Sequence, residues 1–547
     1  MIDIENLDTK ENIMADFFTW LFDDPRIKNK SINLKKEIDL SLAHDYMDPY
    51  IYYPEQIESF FNTKPMQRLA RVSQLSLTVN MYPNTFHSRL EHSKGVYNRK
   101  VEEFIINFQN PNWKNFIEKH NLKLYLIAEL IKVAGHDIGH FPLSHVFEEQ
   151  VFNAHGPHEV FGQRLMLEYP EIQEVLSNIS DELPATLKEL YQKNILNFYS
   201  HDESSYDVDR LDYLSRDRLY KGYPVTFHTN NYTSSPKISV DSTHTDVYSY
   251  DKLPEIENFL LVRENEYDSL YMSKEEQALE CAVGLLFRVL LENSDTNASY
   301  ENRLCTYIRK LHSLKLEDVS LEDFIEWNDI EFYKEVLEIA QSYPDKNVRQ
   351  IATLAIPKLE PFLNLIHSLL DNKKFAELSK PDQELILKIK KLISGKSELL
   401  ADLANPNFLD DNIIPLDGSA YKESLETKGL TSCFNYKFKA YNVKEPVYLQ
   451  TKDANFTELS EHPDKSKDWK NAKKIIHYDF AYVPFLRMNG LSEEEISKIK
   501  AGSTKIHISP EENKKSYTVN MSPLKVEHDI KDYFRNPNLG DIEPEIE

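Results

Sequence analysis

Glycine is scarce, with thirteen in 547 residues, and no GxGxxG occurs. The one GKS, at Gly395 to Ser397, has Lys390 where a phosphate loop needs its upstream glycine. Dinucleotide-binding crossover folds and P-loop folds are thereby excluded. The three cysteines, Cys281, Cys305 and Cys433, stand far apart with no CxxC, which excludes a zinc ribbon or a disulfide framework and fits a reducing compartment. No apolar run approaches the roughly 20 residues that span a bilayer. The N-terminus MIDIENLDTKENIMADFF carries acids where a secretory signal carries lysine or arginine. The expectation is a soluble, cytoplasmic chain with no membrane partner. Basic residues are outnumbered, 64 against 89 acidic, for a net charge of −25. Such a surface repels polyanions, so long nucleic acid is not expected as the main partner. A nucleotide is still allowed, because one metal ion and a few arginines make a local positive pocket.

What remains is mostly helical text. From about Ile51 to Ser294 apolar residues recur three and four apart, as in Leu124, Ile127, Ala128, Ile131 and Ala134, a stripe that runs into GHDIGH. CAVGLLFRVLLEN, from Cys281, is apolar almost all round, as in a helix buried on most sides. The stretch from Asn230 to Asp251 is Ser/Thr-rich and reads as a loop or short hairpin. A second helical region runs from about Tyr300 to Leu400. After about Asn405 come strand-like pieces, YKFKAYNV, PVYLQT, KKIIHYDFAYVPFL, TKIHIS and SYTVNM, and then an acidic tail, DIEPEIE. The expected fold class is mainly α, a helical bundle with a smaller α+β C-terminal lobe. The expected units are an N-terminal segment 1–50, a principal helical domain 51–295, a helical extension 296–404 and a mixed lobe 405–547.

The polar chemistry is concentrated. His87, His92, His120, His136, His140, His145, His155 and His158 place eight of 18 histidines within 72 residues. That density sets them apart from isolated core or surface histidines, although His87, His201 and His228 taken singly read as structural. Adjacent His136 and Asp137 would leave a helix about 100° apart, close enough to share one ion beside it. Adding His92 and Asp209 makes a mixed nitrogen and oxygen set suited to manganese, iron or zinc, with magnesium less favoured by imidazoles. Open positions on such an ion make a hydrolytic site. In DVDRLDYLSRD (Asp207 to Asp217), helical geometry puts Asp209, Asp212, Tyr213 and Arg216 on one stripe and Arg210, Leu214 and Asp217 on the next.

These motifs together resemble the HD-domain metal phosphohydrolases, and within them the deoxynucleoside triphosphate triphosphohydrolases. The resemblance is carried by QRLARVSQL (Gln67 to Leu75), Arg89 three residues before His92, HDIGHFPLSH, the later His158-Glu159 pair and DVDRLDYLSRD. It covers about Asp48 to Leu290 and continues faintly through EDFIEWNDIEFYKEVL. It implies an HD-domain bundle over 51–295 and metal ligation by His92, His136, Asp137 and Asp209. His140 and His158 would be catalytic, with Glu148 or Glu159 orienting His158. Arg89, His145 and Arg210 would meet phosphate, Tyr213 would pack on the sugar, Gln74 with Asp217 would hold the 3′-hydroxyl, and Leu75 would crowd out ribose. The implied activity is metal-dependent hydrolysis of deoxynucleoside triphosphates to deoxynucleoside and triphosphate, in a homo-oligomer. The alternatives are an HD-type nuclease or phosphodiesterase acting on nucleic acid or another nucleotide, and a nucleotide-binding sensor without turnover.

The chain departs from this pattern in two places. LLVRENEYDSLY (Leu260 to Tyr271) is followed by MSKEEQALECAVGLLF, where vertebrate-type members carry an arginine-rich helix and a Tyr-x-His; only Lys274 is basic there. Asn62 and Ala70 stand where nucleotide-activated members have Asp and Arg, although Arg71 and Arg263 remain. Guanine-specific activation is therefore not expected.

Overall fold

The computed structural model describes residues 4–39, 50–152, 157–192, 206–223, 247–292, 300, 302–313, 315–370, 373, 375–394, 397–442, 444, 446–453, 455–504 and 508. Helix α1 (Ile4–Phe22) precedes an antiparallel strand pair, β1 (Leu34–Ile38) and β2 (Tyr50–Pro54), in which Leu34 faces Pro54. The helices that carry polar chemistry follow: α2 (Arg89–Phe108), α3 (Lys123–Ala134), α4 (His145–Phe152), α5 (Pro157–Glu168) and α6 (Val208–Lys221). After a two-residue strand β3 (Val247–Tyr248) come α7 (Leu253–Glu266), α8 (Lys274–Glu292) and, further on, α9 (Asp329–Ser342).

Three of these helices begin or end for a plain local reason. α2 starts at Ser88, whose hydroxyl accepts from the Glu91 N–H while Glu91 caps the Ser88 N–H in return. α3 buries its whole stripe of Leu124, Ile127, Ala128, Ile131 and Ala134, each large aliphatic side chain worth roughly 1.5–3 kcal/mol, and stops at Gly135. α6 is capped by Asp207, which accepts from the Arg210 N–H at 2.8 Å, and closes on Gly222 at φ 84°. His136 and Asp137 therefore stand in the turn beyond α3 and not on a helix, a correction to the expected geometry.

Two glycines permit close approaches. At Gly95 on α2 a Cβ would lie 2.2 Å from both Asp212 Oδ1 and Arg216 Nη2 of α6. At Gly139 it would lie 2.0 Å from the His158 carbonyl oxygen and 2.3 Å from the Gly162 nitrogen of α5. Gly139→Ala should accordingly push α5 off the turn and destabilise the protein by about 1–3 kcal/mol, read as a fall in melting temperature.

The C-terminal residues form one three-stranded sheet and, with β3, a second. β4 (Ile413–Pro415), β8 (Lys474–Tyr482) and β5 (Ser432–Phe438) are antiparallel in the order β4-β8-β5. β6 (Tyr448–Gln450) lies between β7 (Phe456–Glu458), antiparallel to it, and β3, parallel to it. KKIIHYDFAYVPFL is thus only partly strand, because Pro484 at the first turn starts helix α10 (Val483–Met488). Most of the stretch from Asn230 lies outside the described residues, as do SYTVNM, the acidic tail, most of TKIHIS, and His155, His201 and His228. Its end supplies β3. One apolar core joins Met14 and Phe17 of α1 to α3, α8, α9, Phe480 and Leu486. A second, smaller core packs Val208, Leu211 and Leu214 of α6 and Phe259 of α7 against Phe438 and Trp469 of the lobe. Among the described residues no helix is long and apolar enough to cross a membrane.

Candidate metal centre and histidine cluster

α2, the turn after α3, and α6 bring four donors together. His92 Nε2 and His136 Nε2 are 3.2 Å apart. Asp209 Oδ1 is 3.0 Å from the first and 3.4 Å from the second. Asp137 Oδ1 is 3.3 Å from His136 Nε2, and its Oδ2 is 3.6 Å from His92 Nε2. These separations are what ligands on one ion show, since bonds of about 2.0–2.1 Å at 90–110° put neighbouring donors roughly 3.0–3.4 Å apart. The other ring nitrogens decide the tautomers. His92 Nδ1 bonds Asp212 Oδ2 at 2.9 Å and His136 Nδ1 bonds the Val133 carbonyl at 2.8 Å. Each Nδ1–H donates backward, so two Nε2 lone pairs face one another across 3.2 Å beside two carboxylates, an arrangement that asks for a cation. The donor set fits a first-row divalent ion.

The electrostatics agree. Removal from water opposes charge on His136, but Asp137 and Asp209 outweigh it and raise its pKa to about 10. His92 is raised in the same way by Asp209, Asp212 and Asp137 against its burial. Burial works against the charge of Asp137, yet Arg89 and the neighbouring imidazoles hold it well below the usual carboxylate range. Without an ion the site collects protons, so metal binding should release protons and strengthen as pH rises toward the raised histidine pKa values. Calorimetric titration of manganese in buffers of different ionisation enthalpy measures this directly; binding with no proton release would contradict it.

A second cluster adjoins the first. Glu148, buried at the start of α4, bonds His140 Nδ1 at 3.1 Å and His158 Nδ1 at 2.7 Å. The two rings stack at 4.1 Å, with His145 edge-on to both. Although burial disfavours a charged Glu148, its two imidazole partners hold its pKa well down. Burial, Arg89 and His158 push His140 below its ordinary value. His145 is exposed, but the protein around it and the charges of His140 and Arg89 still oppose its protonation. Asp137 joins the clusters, its Oδ1 standing 3.3 Å from His140 Nε2 as well as from His136.

No family model matches the chain. The uncharacterized protein MG461 of Mycoplasma genitalium is 26% identical over 347 residues, 60% of this chain and 77% of that protein. A protein of Acanthamoeba polyphaga mimivirus named for an HD domain is 32% identical over 31% of this chain and 40% of its own length. The deoxynucleoside triphosphate triphosphohydrolase SAMHD1 homologue of Dictyostelium discoideum is 28% identical over 33% of this chain and 36% of its own length. A phosphohydrolase crystal structure from Bacteroides thetaiotaomicron shares the fold, with TM-score 0.57 at 20% identity, over 82% of this chain and all of that one. The chain resembles the HD-domain, dNTPase-like family. The identity is low, and the matches to the mimivirus and Dictyostelium proteins span less than half of either.

Measured against the HD-domain pattern, His92, His136, Asp137 and Asp209 lie together, and so do His140, His145, His158 and Glu148. Glu159 does not join them. It is exposed in the first turn of α5, and the bond to His158 comes from Glu148. Arg89 is buried at the junction, paired with Asp137 and donating to Ser144 Oγ at 2.7 Å. Gln74 and Leu75 run beside it, Gln74 N–H bonding the His87 carbonyl at 3.0 Å, with the Gln74 Oε1 buried and without a hydrogen-bond partner among the described residues. Tyr213 sits edge-on to His92 at 6.4 Å. Arg210 folds back onto Asp207. Asp217 is gripped by His87 Nε2 at 2.8 Å and by the Tyr271 hydroxyl at 2.6 Å.

Several supporting residues escaped sequence reasoning. Asp212, fully buried, holds His92 and is itself held by Arg99 and Arg216; its only signal was sharing the Asp209 stripe. His87, read as structural, is the partner of Asp217. Arg68 donates to the His140 carbonyl at 2.6 Å, and Asp329 of α9 accepts from Leu143 N–H at 2.8 Å. Together these brace a turn in which Leu143 and Ser144 take φ of 58° and 55°, costly for residues with a Cβ. Asp212→Asn should weaken manganese binding about 10- to 100-fold by loosening the His92 ring; unchanged affinity in a folded variant would count against the assignment.

Proposed function

We propose that the protein is a metal-dependent phosphohydrolase that cleaves deoxynucleoside triphosphates to deoxynucleoside and inorganic triphosphate. The observation that carries this reading is the facing pair of Nε2 atoms of His92 and His136, backed by Asp212 and Val133 and flanked by Asp137 and Asp209. The histidine cluster held by Glu148 stands one carboxylate away. His92, His136, Asp137 and Asp209 would hold the ion. When bound, it supplies Lewis acidity toward water and toward a phosphate oxygen. Manganese, iron and zinc suit the donor set, and magnesium less so.

The residues of the chain do the rest. Glu148 fixes the His158 ring through Nδ1, leaving Nε2 to hand a proton to the departing 5′-oxygen, an alkoxide too basic to leave well unaided. His140, oriented by the same carboxylate and braced by Arg68, faces Asp137 and positions the attacking water. Arg89 brings a guanidinium beside Asp137, where phosphate oxygens gather, and its planar fork binds two of them at once. His145 completes the phosphate side. Tyr213, Gln74, Leu75 and Asp217 border the sugar side.

The test is incubation of purified protein with each deoxynucleoside and ribonucleoside triphosphate plus manganese or magnesium, with chromatography of the products and His136→Ala as control. Deoxynucleoside and intact triphosphate, both lost in the control, are the expected result. Release of monophosphate or diphosphate, or cleavage of oligonucleotides alone, would replace this reading with another phosphoesterase activity of the same centre.

A further inference from the structure

Between α7 and α8 the chain does not continue as a regular helix. Tyr267–Tyr271 winds as a single π-turn, in which the Met272 N–H reaches back five residues to the Tyr267 carbonyl at 2.8 Å. Such turns cost helical regularity and persist where something holds them. Here the two ends of the turn are held by different parts of the protein. At its far end the Tyr271 hydroxyl donates to Asp217 Oδ2 at 2.6 Å, and the Tyr271 ring stands edge-on to Tyr213, 6.1 Å away. At its near end Tyr267 stacks on Phe438 of β5, with centroids 3.9 Å apart and planes 18° from parallel. The Arg263 guanidinium lies over both of those rings and donates to the Ala440 carbonyl at 2.7 Å. Lys474 of β8 pairs with Asp268 within the turn itself.

We propose that the C-terminal lobe is a brace for the substrate pocket, with Phe438 as its positioning residue. The Phe438–Tyr267 stack holds the π-turn, and the π-turn holds Tyr271 on Asp217 and against Tyr213. The lobe shares its smaller core with α6 and α7, the helices that carry Asp217 and Arg263, so it cannot shift without disturbing them. Asp217 is buried with its two oxygens facing His87 and Tyr271, so loss of Tyr271 leaves a buried carboxylate short of a partner and free to turn. Phe438 touches none of the metal donors; it acts through Tyr267 and Tyr271. The kinetic part of the test rests on the nucleotide reading above, and the exchange part does not.

The experiment uses the full-length protein with Phe438→Ala, the conservative Phe438→Tyr, and the milder Phe438→Leu in case the alanine variant does not fold. Amide hydrogen exchange is followed for peptides covering 263–272 and 208–221, bound manganese is counted, and KM and kcat are measured with the deoxynucleoside triphosphate turned over best. Phe438→Ala or Phe438→Leu should speed exchange in both peptides, leave manganese unchanged, and raise KM about tenfold with kcat nearly constant, the scale of one stacked ring pair. Phe438→Tyr should return both exchange and KM to the wild-type values. Faster exchange confined to the lobe, or kcat falling with KM unchanged, would overturn the brace. If the wild type turns over no nucleotide, the functional reading fails and the exchange pattern alone decides the brace: faster exchange in both peptides supports it, and exchange changes limited to the lobe refute it.

Discussion

His136→Ala and Asp137→Asn should each abolish turnover and lower bound metal. Each removes one of four donors from a site whose neighbours stand 3.0–3.6 Å apart. The loss should be at least about 10⁴-fold in rate, since a Lewis acid is worth several kcal/mol of transition-state charge stabilisation. The two variants should differ in stability. His136 is only half-buried, and of the carboxylates it faces Asp209 is part-exposed and Asp137 keeps Arg89 as a partner, whereas loss of the Asp137 charge leaves the buried Arg89 without its carboxylate. Asp137→Asn should therefore melt earlier by an amount equivalent to a broken buried pair, about 3–5 kcal/mol. Metal analysis, activity and thermal melting on the same preparations separate these effects, and retained activity in both variants would defeat the metal assignment.

His158→Ala should slow the chemical step by about 10²- to 10⁴-fold, the range for a positioned general acid, while metal content stays at the wild-type level. His158 is held by Glu148 through Nδ1 and stacks on His140. Of the four donors it is Asp137 that meets this cluster, and it does so at His140. The sharpest form of the test compares substrates: a nitrophenyl phosphate ester, whose leaving group needs no proton, should lose far less rate in the variant than a nucleotide does. Equal losses on both would deny His158 the proton-donor role, and loss of metal would place it in the coordination sphere.

Much of this site is legible in the sequence. Histidine density, the adjacency of His136 and Asp137, and the distant Asp209 all point to one ion, because metal ligation needs particular side-chain types and few others will serve. Helices were equally readable, since the stripe from Leu124 to Ala134 repeats at helical spacing and is buried along its length. Where the reading failed, the cause was a local residue whose effect depends on its surroundings. Gly135 ends α3 before His136 and Asp137, so the pair reaches its partners from a turn. Pro484 turns the last third of KKIIHYDFAYVPFL into a helix start. The strands β1, β2, β3, β4 and β7 are two to five residues long, too short for alternation to register.

The sequence by itself determined the chemical class of the site, because donor identity is a property of residues, and the mainly helical architecture, because periodicity is a property of short windows. Only the tertiary structure decided which carboxylate serves which imidazole. Glu148 and not Glu159 orients His158, Asp212 fixes the tautomer of His92, and Asp137 couples the two clusters. It also decided that Asp217 is tied to Tyr271 and, through the π-turn, to Phe438 in the lobe. These pairings join residues from 10 to 120 positions apart in the hydrogen-bonded cases, and longer still through the lobe. Their geometry follows from how helices and sheets pack, which no local pattern encodes.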